Sequence, residues 1–595
     1  MARGRPGRRG RGDSRLRARA PGGVGPGAER HHRRRQDDHC ARGSIRLPAG
    51  SPWRPALSRV GARPRGGAAS PAGSGSSDLR APSGWVEPEL WRAKVGRAPR
   101  PEDLVARVVP VIGACSREAW LVGGWVRDRL LGRETHDIDF VVPAGAIAIA
   151  RQVADLLGGA FVLLDDARDT ARVVVGPAEA ATYLDFAGLR ATTIEADLLG
   201  RDFTVNAMAV EAGAGLESQP RVIDPADGRR DLAEGLLRAV TPESFREDPL
   251  RMLRAVRLSA ALGFEIESET ALWIRRDAEL LDAVSRERVR DELAQILALP
   301  RAEQSLRQLD SLGLLDQVVP ELGALRQVEA RDGGTANALK QTLRCVGTTQ
   351  ALTAWLKGEA WSLPAATGQA LEAAVGAYRA RLGEYLAGLL PGGRTRATML
   401  MLAALLHHVG KGATEQGRAA PGGRLLGHEV LGASMAATVA RRLCFSSAET
   451  VRVRLAVRSY LRPWQMAHEP EAAPERRAIY RFFRDAEPSG VEAILLSLAA
   501  ELAAQEGTPE PGYWQRLLAV DAALLEAYFE RRREILDPVP LVGGLDLIEG
   551  LGLAPGPQIG VLLDGIREAQ AAGEVRTREE ALAFAKHIME REGLR

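Results

Sequence analysis

From Pro101 onward the spacing of apolar and polar residues changes character twice. "PEDLVARVVPVIGAC" places apolar residues three and four apart and predicts a helix, while "AWLVGG" is a short continuous apolar run that predicts a buried strand. "WVRDRLLG" returns to helical spacing, and "HDIDFVV" reads as a strand bounded by Pro143. A further helix, "GAIAIARQVADLLG", leads to the strand candidates "AFVLLD", "TARVVVG" and "ATYLDFAGLR". After Asp231 the strand signals nearly vanish. "TPESFREDPLRMLRAVRLSAALGF", "ERVRDELAQILAL" and most of the remaining chain have the period of amphipathic helices. The expected fold class is therefore α+β, with a small head of antiparallel or mixed sheet and helices over residues 99–236, then a long all-α body.

Composition changes this picture at one end only. At 595 residues and 45% hydrophobic content the chain can bury several cores, so three or four folded units are expected. The formal charge of +4 conceals an excess of arginine before residue 100. Residues 1–98 are Arg, Gly, Pro, Ser and Ala almost without periodic apolar positions, as in "MARGRPGRRGRGDSRLRARAPGG". Such a segment buries too little surface to offset its ordering entropy. It reads as a disordered tail, or as upstream sequence translated from a misplaced start, in preference to a basic arm gripping RNA. Cys40, Cys115, Cys345 and Cys444 lack C-x-x-C spacing, which argues against a disulfide framework or structural zinc and fits a reducing cytoplasm. No apolar run reaches membrane-spanning length, and no secretory signal is recognisable.

The chemistry concentrates in "LVGGWVRDRLLGRETHDIDFVV", Leu121 to Val142. Gly123 and Gly124 lie between strand and helix, where missing side chains let backbone N–H groups approach a phosphate, and Arg127 adds a fixed positive charge one turn later. Alternation along a strand sends Asp137 and Asp139 to one face and Ile138 and Phe140 to the other. Paired carboxylates are tolerated when hard divalent cations bridge them, which with phosphate oxygens as further ligands describes a Mg²⁺ site. Asp185, interrupting the apolar "YLDFAGLR", supplies a third carboxylate or else caps a turn. Three carboxylates with two metals suit in-line nucleotidyl transfer: one ion activates an attacking hydroxyl while the other stabilises departing pyrophosphate.

The same stretch resembles the signature of class II nucleotidyltransferases, which include bacterial CCA-adding tRNA nucleotidyltransferases and poly(A) polymerases of the DNA polymerase beta-like superfamily. The resemblance continues in order through "GRDFTVNAMA", "DPADGRRDL", "EDPLRMLRAVRLSAALGF" and "ERVRDEL". It implies that Gly124 and Arg127 bind nucleotide and that Asp137 and Asp139 hold metal. Arg201 matches the second arginine of a family R-R-D-F-T-x-N-A motif whose first is Gly200 here. Asp248, Arg251, Arg254 and Arg257 fall on a nucleotide-binding E-D-x-x-R motif and the arginines after it, with Pro249 suiting a helix's first turn. The region 237–335 becomes a neck for base recognition and RNA binding.

"LAALLHHVGKGAT" and "GHEVLGASMAATVARRLCFS" resemble an HD-type domain, which makes 336–535 HD-like. His408 stands where an Asp is required and "SLAA" at Ser497 to Ala500 where "SLAD" is common, so a two-metal hydrolase site is weakened, although His407 and His428 retain the capacity to bind a transition metal. A mainly structural or RNA-contacting role is expected. "GLAPGPQIG" belongs to a stretch resembling the family's tRNA-binding tail over 536–595. Together these imply a template-independent enzyme adding C, A or both to tRNA 3′ ends from CTP and ATP with Mg²⁺. No obligatory protein partner and no membrane are implied, and the compartment is cytoplasmic. Poly(A) polymerase and enzymes adding only CC or only A share the head motifs. From other classes, a non-catalytic RNA-binding protein is opposed by intact Asp137 and Asp139, and an HD phosphohydrolase by His408.

Overall fold

The computed structural model describes residues 100–592 apart from 178–180, 218–219, 329–336, 415–426 and 470–473. The expectations for residues 1–98 lie outside the described residues. The head opens with α1 (Pro101–Cys115), β1 (Trp120–Val122), α2 (Gly124–Leu130), β2 (Asp137–Val142) and α3 (Ala146–Leu157). It continues with β3 (Ala160–Asp165), β4 (Thr170–Val175), β5 (Thr182–Gly188), α4 (Ile194–Leu199), β6 (Ala209–Glu211) and β7 (Val222–Ile223). The seven strands form one sheet in the order β3-β4-β5-β2-β1-β6-β7. Only β2 and β5 run parallel; the remaining pairs are antiparallel, giving the mixed sheet expected for the head.

Strand alternation explains how this sheet is both buried and reactive. Leu121, Ile138, Phe140, Ala171, Val173, Leu184 and Phe186 enter one core with α1 and α3, and the Phe140 and Phe186 rings stack at 5.1 Å. The opposite face carries Asp137 and Asp139 on β2, Tyr183 and Asp185 on β5 and Arg172 on β4, with only a smaller cluster (Val122, Val141, Ile194, Leu198) covering part of it. The polar face is thus left accessible at β2, β5 and β4.

The boundary after Asp231 is not free of strands. Following α5 (Gly228–Glu234), the two-residue strands β8 (Leu236–Leu237) and β9 (Glu265–Ile266) pair in parallel and tie the head to the neck. Between them lie α6 (Ser244–Glu247) and α7 (Arg251–Leu262). Pro249 falls in the break between these helices rather than in the first turn of α7. Asp248, preceding it, is extended at φ −145° and ψ 97°, because proline disfavours helical backbone in the residue before it. Beyond α8 (Ser268–Asp277) and α9 (Arg286–Ala298) the described chain is helical, and one continuous apolar core runs from Phe203, inside the stretch expected to be head, to Leu536. The last helices enclose a separate small core of Val542, Leu547, Leu562, Ile566 and neighbours. No helix among the described residues is long and apolar enough to cross a membrane.

Candidate active site

The glycine step sits directly against the carboxylates. Gly123 has φ 68° and ψ −132°, open to glycine alone, and a Cβ there would lie 3.1 Å from Arg201 Nη1 and 3.2 Å from Asp139 Oδ2. Backbone, guanidinium and carboxylate therefore meet at one point. Gly124 begins α2, and a Cβ on it would stand 3.5 Å from Arg127 Nη2. Arg127 is buried and donates to Asp128 at 2.9 and 2.8 Å and to Asn206 Oδ1 at 2.6 Å. Asn206 in turn donates to Asp202 Oδ1 at 3.1 Å, and Asp202 pairs with Arg254 of α7 at 3.3 Å. One polar chain thus runs from the glycine step to the neck.

The parallel register aligns Asp139 with Asp185 and Asp137 with Tyr183. Asp137, the first residue of β2, is exposed. Asp139 is recessed, and its carboxyl is pushed up to about 6, first by burial and then by the negative charge of Asp185, against the opposing pull of Arg201. This is a carboxylate short of positive charge. Arg201 is itself held by the buried Asp197 at 3.5 Å. Asp185 is not free: Arg172, directly opposite on β4, grips it through Nε and Nη2, both at 2.7 Å. Among the described residues no three His, Cys, Asp or Glu side chains form a ready metal-holding group. What the head offers a cation is the Asp137 and Asp139 pair, an arrangement that suits an ion completing its shell with substrate phosphate and water.

The neck residues divide. Arg251 donates to the backbone carbonyl of Gly200 at 3.1 Å and to Glu247 at 3.2 Å, so the side chain missing at position 200 leaves that head–neck contact intact. Arg254 reaches the site through Asp202. Asp248 accepts from Arg288 of α9 at 2.8 Å. Arg257 instead pairs with Glu292 at 2.6 Å, because three residues advance a helix by 300° and the 60° lag accumulated at each step turns it toward α9. It is not brought to the carboxylates. Arg172, Asp197, Asp202, Asn206 and Arg288, all contacting the site residues, were not singled out by sequence reading. Asp202 and Asn206 lay inside "GRDFTVNAMA", whereas nothing along the chain marks Arg172 until its strand is paired.

In the HD-like region His407, His408 and His428 are all buried. The His407 ring hydrogen-bonds the Ala404 carbonyl through Nδ1 at 2.7 Å, and burial pushes its pKa down to about 3. His408 Nδ1 shares a hydrogen bond with Thr342 at 3.2 Å, and His428 Nε2 with Tyr460 at 2.9 Å. His428 thus shares its Nε2 with Tyr460, whereas His407 Nε2 is buried without a hydrogen-bond partner, and among the described residues no three His, Cys, Asp or Glu side chains gather there.

Fold and site together define a nucleotidyltransferase head on a helical body. The poly A polymerase head domain matches residues 119–238, the probable RNA and SrmB-binding site of polymerase A 263–325, and the HD domain 374–505. The CC-adding tRNA nucleotidyltransferase of Geobacter sulfurreducens is 34% identical over 475 residues, covering 78% of this chain and 91% of that protein. The A-adding tRNA nucleotidyltransferase of Deinococcus radiodurans is 34% identical over 486 residues, covering 79% and 96%. Among solved structures, an apo CCA-adding enzyme has the same fold, with a TM-score of 0.52 at 21% identity over 82% of this chain and 94% of that one. The chain belongs to the tRNA nucleotidyltransferase family. It is an enzyme of the kind that works with divalent metal ions.

Proposed function

We propose that this enzyme adds C, A or both to the 3′ end of tRNA without a nucleic-acid template, taking nucleotides from CTP and ATP and releasing pyrophosphate, in the cytoplasm and with Mg²⁺. The observation that carries the reading is the Asp137 and Asp139 pair on an open sheet face, with Asp139 pushed up to about 6 and Gly123 in contact range. Asp137 and Asp139 would hold two Mg²⁺ ions, which would supply activation of the terminal hydroxyl and stabilisation of the leaving group. The chain's own residues supply the rest. Amides at Gly123 and Gly124 and the guanidiniums of Arg127 and Arg201 receive the triphosphate. Asp185 is the third catalytic carboxylate.

Base choice is assigned to Asp248 and Arg251, with Arg254 aligning the helix; Arg257 supports α7 through Glu292. A carboxylate accepts from the exocyclic amine of cytosine or adenine, and a guanidinium donates to the ring acceptor; uracil and guanine offer a carbonyl where the amine should be. Asp248 must then leave Arg288, and Arg251 leave Glu247, as the base enters. The working division is a head over 99–236, a base-recognition neck over 237–335, a structural or RNA-contacting HD-like region over 336–535 and a tRNA-binding tail over 536–595.

Relatives named for CC addition and for A addition stand at the same 34% identity, so partial addition is the second reading. Incubating the enzyme with tRNA ending at the discriminator, at C or at CC, and with each nucleotide singly, tests both. Incorporation of C on the first two substrates and A on the third establishes complete addition, and a response to one class alone establishes a partial enzyme. Incorporation on none of them refutes the proposal.

A further inference from the structure

The Arg172–Asp185 pair is the feature of the head that the reaction scheme leaves unexplained. Both nitrogens lie 2.7 Å from separate carboxylate oxygens, which is the bidentate geometry that uses the acceptor capacity of Asp185 most completely. The contact is built by the fold. Position 172 on β4 stands directly opposite 185 on β5, 185 stands directly opposite 139 on β2, and the guanidinium lies 5.0 Å from the centre of the Tyr183 ring. Tyr183 is the register partner of Asp137, so the arginine is steadied above the residue that flanks the outer carboxylate. Arg172 is only half-withdrawn from solvent, and its charge is felt at Asp137 and Asp139 as well as at Asp185.

We infer that Arg172 is a positioning residue that takes a divalent cation's place at Asp185 while the head is empty, and so sets how tightly the carboxylate group binds metal. This rests on the proposed two-metal reading. The argument is one of competition. A guanidinium holding both oxygens spends two of the lone-pair sites of Asp185 and sets a positive charge against any cation approaching it from Asp139, its register partner. It also supplies the positive charge that lets three aspartates share one sheet face in a protein not yet loaded. An ion that takes Asp185 as a ligand must share those oxygens with the guanidinium, against its charge, or displace it. Weak binding of free metal is the consequence, so that the cluster fills when a triphosphate brings further ligands.

Removing the competitor separates this role from an ordinary structural one. Arg172→Met keeps the length of the side chain and abolishes its charge; Arg172→Lys keeps the charge but reaches only one oxygen. Mn²⁺ is titrated calorimetrically into nucleotide-free full-length protein at constant pH and salt. Arg172→Met is expected to bind Mn²⁺ at least about tenfold more tightly than the parent, and Arg172→Lys about threefold, since a unit charge close to the site is removed in one case and displaced in the other. Thermal melts in EDTA complete the pattern: both variants melt below the parent without metal and regain the difference with Mn²⁺. Unchanged or weaker Mn²⁺ binding in Arg172→Lys, or in Arg172→Met with parental circular dichroism, overturns the inference, because a side chain that merely supports the sheet would loosen the site when removed. Asp139→Ala run in parallel keeps the two questions apart. If it retains both Mn²⁺ binding and incorporation, the two-metal reading fails; if it loses both while the Arg172 variants bind as the parent does, only the role of Arg172 fails.

Discussion

The head and the HD-like region each gather chemistry-bearing side chains from distant positions, and the fold treats the two groups in opposite ways. On the sheet, Asp137, Asp139 and Asp185 face an accessible surface, with Arg172, Arg201 and Arg254 around them and Asp139 still short of positive charge. In the helical body, His407, His408 and His428 are buried and each hydrogen-bonds a protein partner, namely the Ala404 carbonyl, Thr342 and Tyr460, while His407 Nε2 is left without one. A polar cluster remains a reaction centre when its charge is left for an incoming ion to complete. It packs as part of a core when it is withdrawn from water and held neutral, as burial holds His407. The two groups therefore respond to pH in opposite directions, which makes the contrast measurable.

The largest effect is expected at the head. Asp139→Ala should lower single-nucleotide incorporation by on the order of a thousandfold or more, because a metal ligand is lost, while tRNA binding by the helical body stays near the parent's. Gel-shift and incorporation assays on the same preparation check this, and incorporation within tenfold of the parent would remove Asp139 from the mechanism.

The converse test lies in the body. His407→Ala should leave incorporation unchanged and cost roughly 2–4 kcal/mol of stability through the cavity it opens in a fully buried site. Its pH dependence has a defined sign. The folded pKa of about 3 lies below the ordinary 6.5, so the unfolded chain takes up the proton first and this residue's contribution is lost as pH falls below 6.5. The gap between parent and variant should therefore narrow between pH 7 and pH 5 in denaturant titrations. A 2′,3′-cyclic phosphodiesterase activity that vanished with His407 would overturn the contrast.

Asp248 and Arg251 are an intermediate case, engaged by Arg288 and Glu247 yet assigned to a base that has to displace them. Asp248→Ala and Arg251→Ala should lower the preference for CTP and ATP over UTP and GTP by on the order of hundredfold, since each unpaired buried polar group costs about 1–3 kcal/mol. Incorporation of all four nucleotides onto trimmed tRNA measures it. Slower variants with an unchanged preference would make α7 a structural face.

The smallest effect sharpens the comparison most directly. Asp139 titrates at about 6 in the fold against an ordinary 3.8, so the folded protein holds the proton more tightly, and stability is lost as pH rises through that window. In EDTA at pH 8, Asp139→Asn should melt above the parent by an amount worth about 1–3 kcal/mol, shrinking to nothing near pH 4. A variant no more stable than the parent at pH 8 would show that the empty head is not under electrostatic strain.

The sequence by itself determined the order of elements and which residues are chemically capable. The apolar alternation of "HDIDFVV" already put Asp137 and Asp139 on one side of a strand, and helical spacing marked the body, because periodicity depends on near neighbours along the chain. The tertiary structure decided which side chains meet. That Asp185 lies beside Asp139, that Arg172 closes over Asp185, and that Arg257 turns to Glu292 while Arg254 reaches Asp202 all depend on register and helix rotation between segments far apart in sequence. The paired strands β8 and β9 and the extended Asp248 before Pro249 went unread for a related reason, since two-residue strands carry no period and a cap is settled by its surroundings. The surroundings of the histidines were decided in the same way: nothing along the chain announced that a carbonyl, a hydroxyl and a phenol would pack against them.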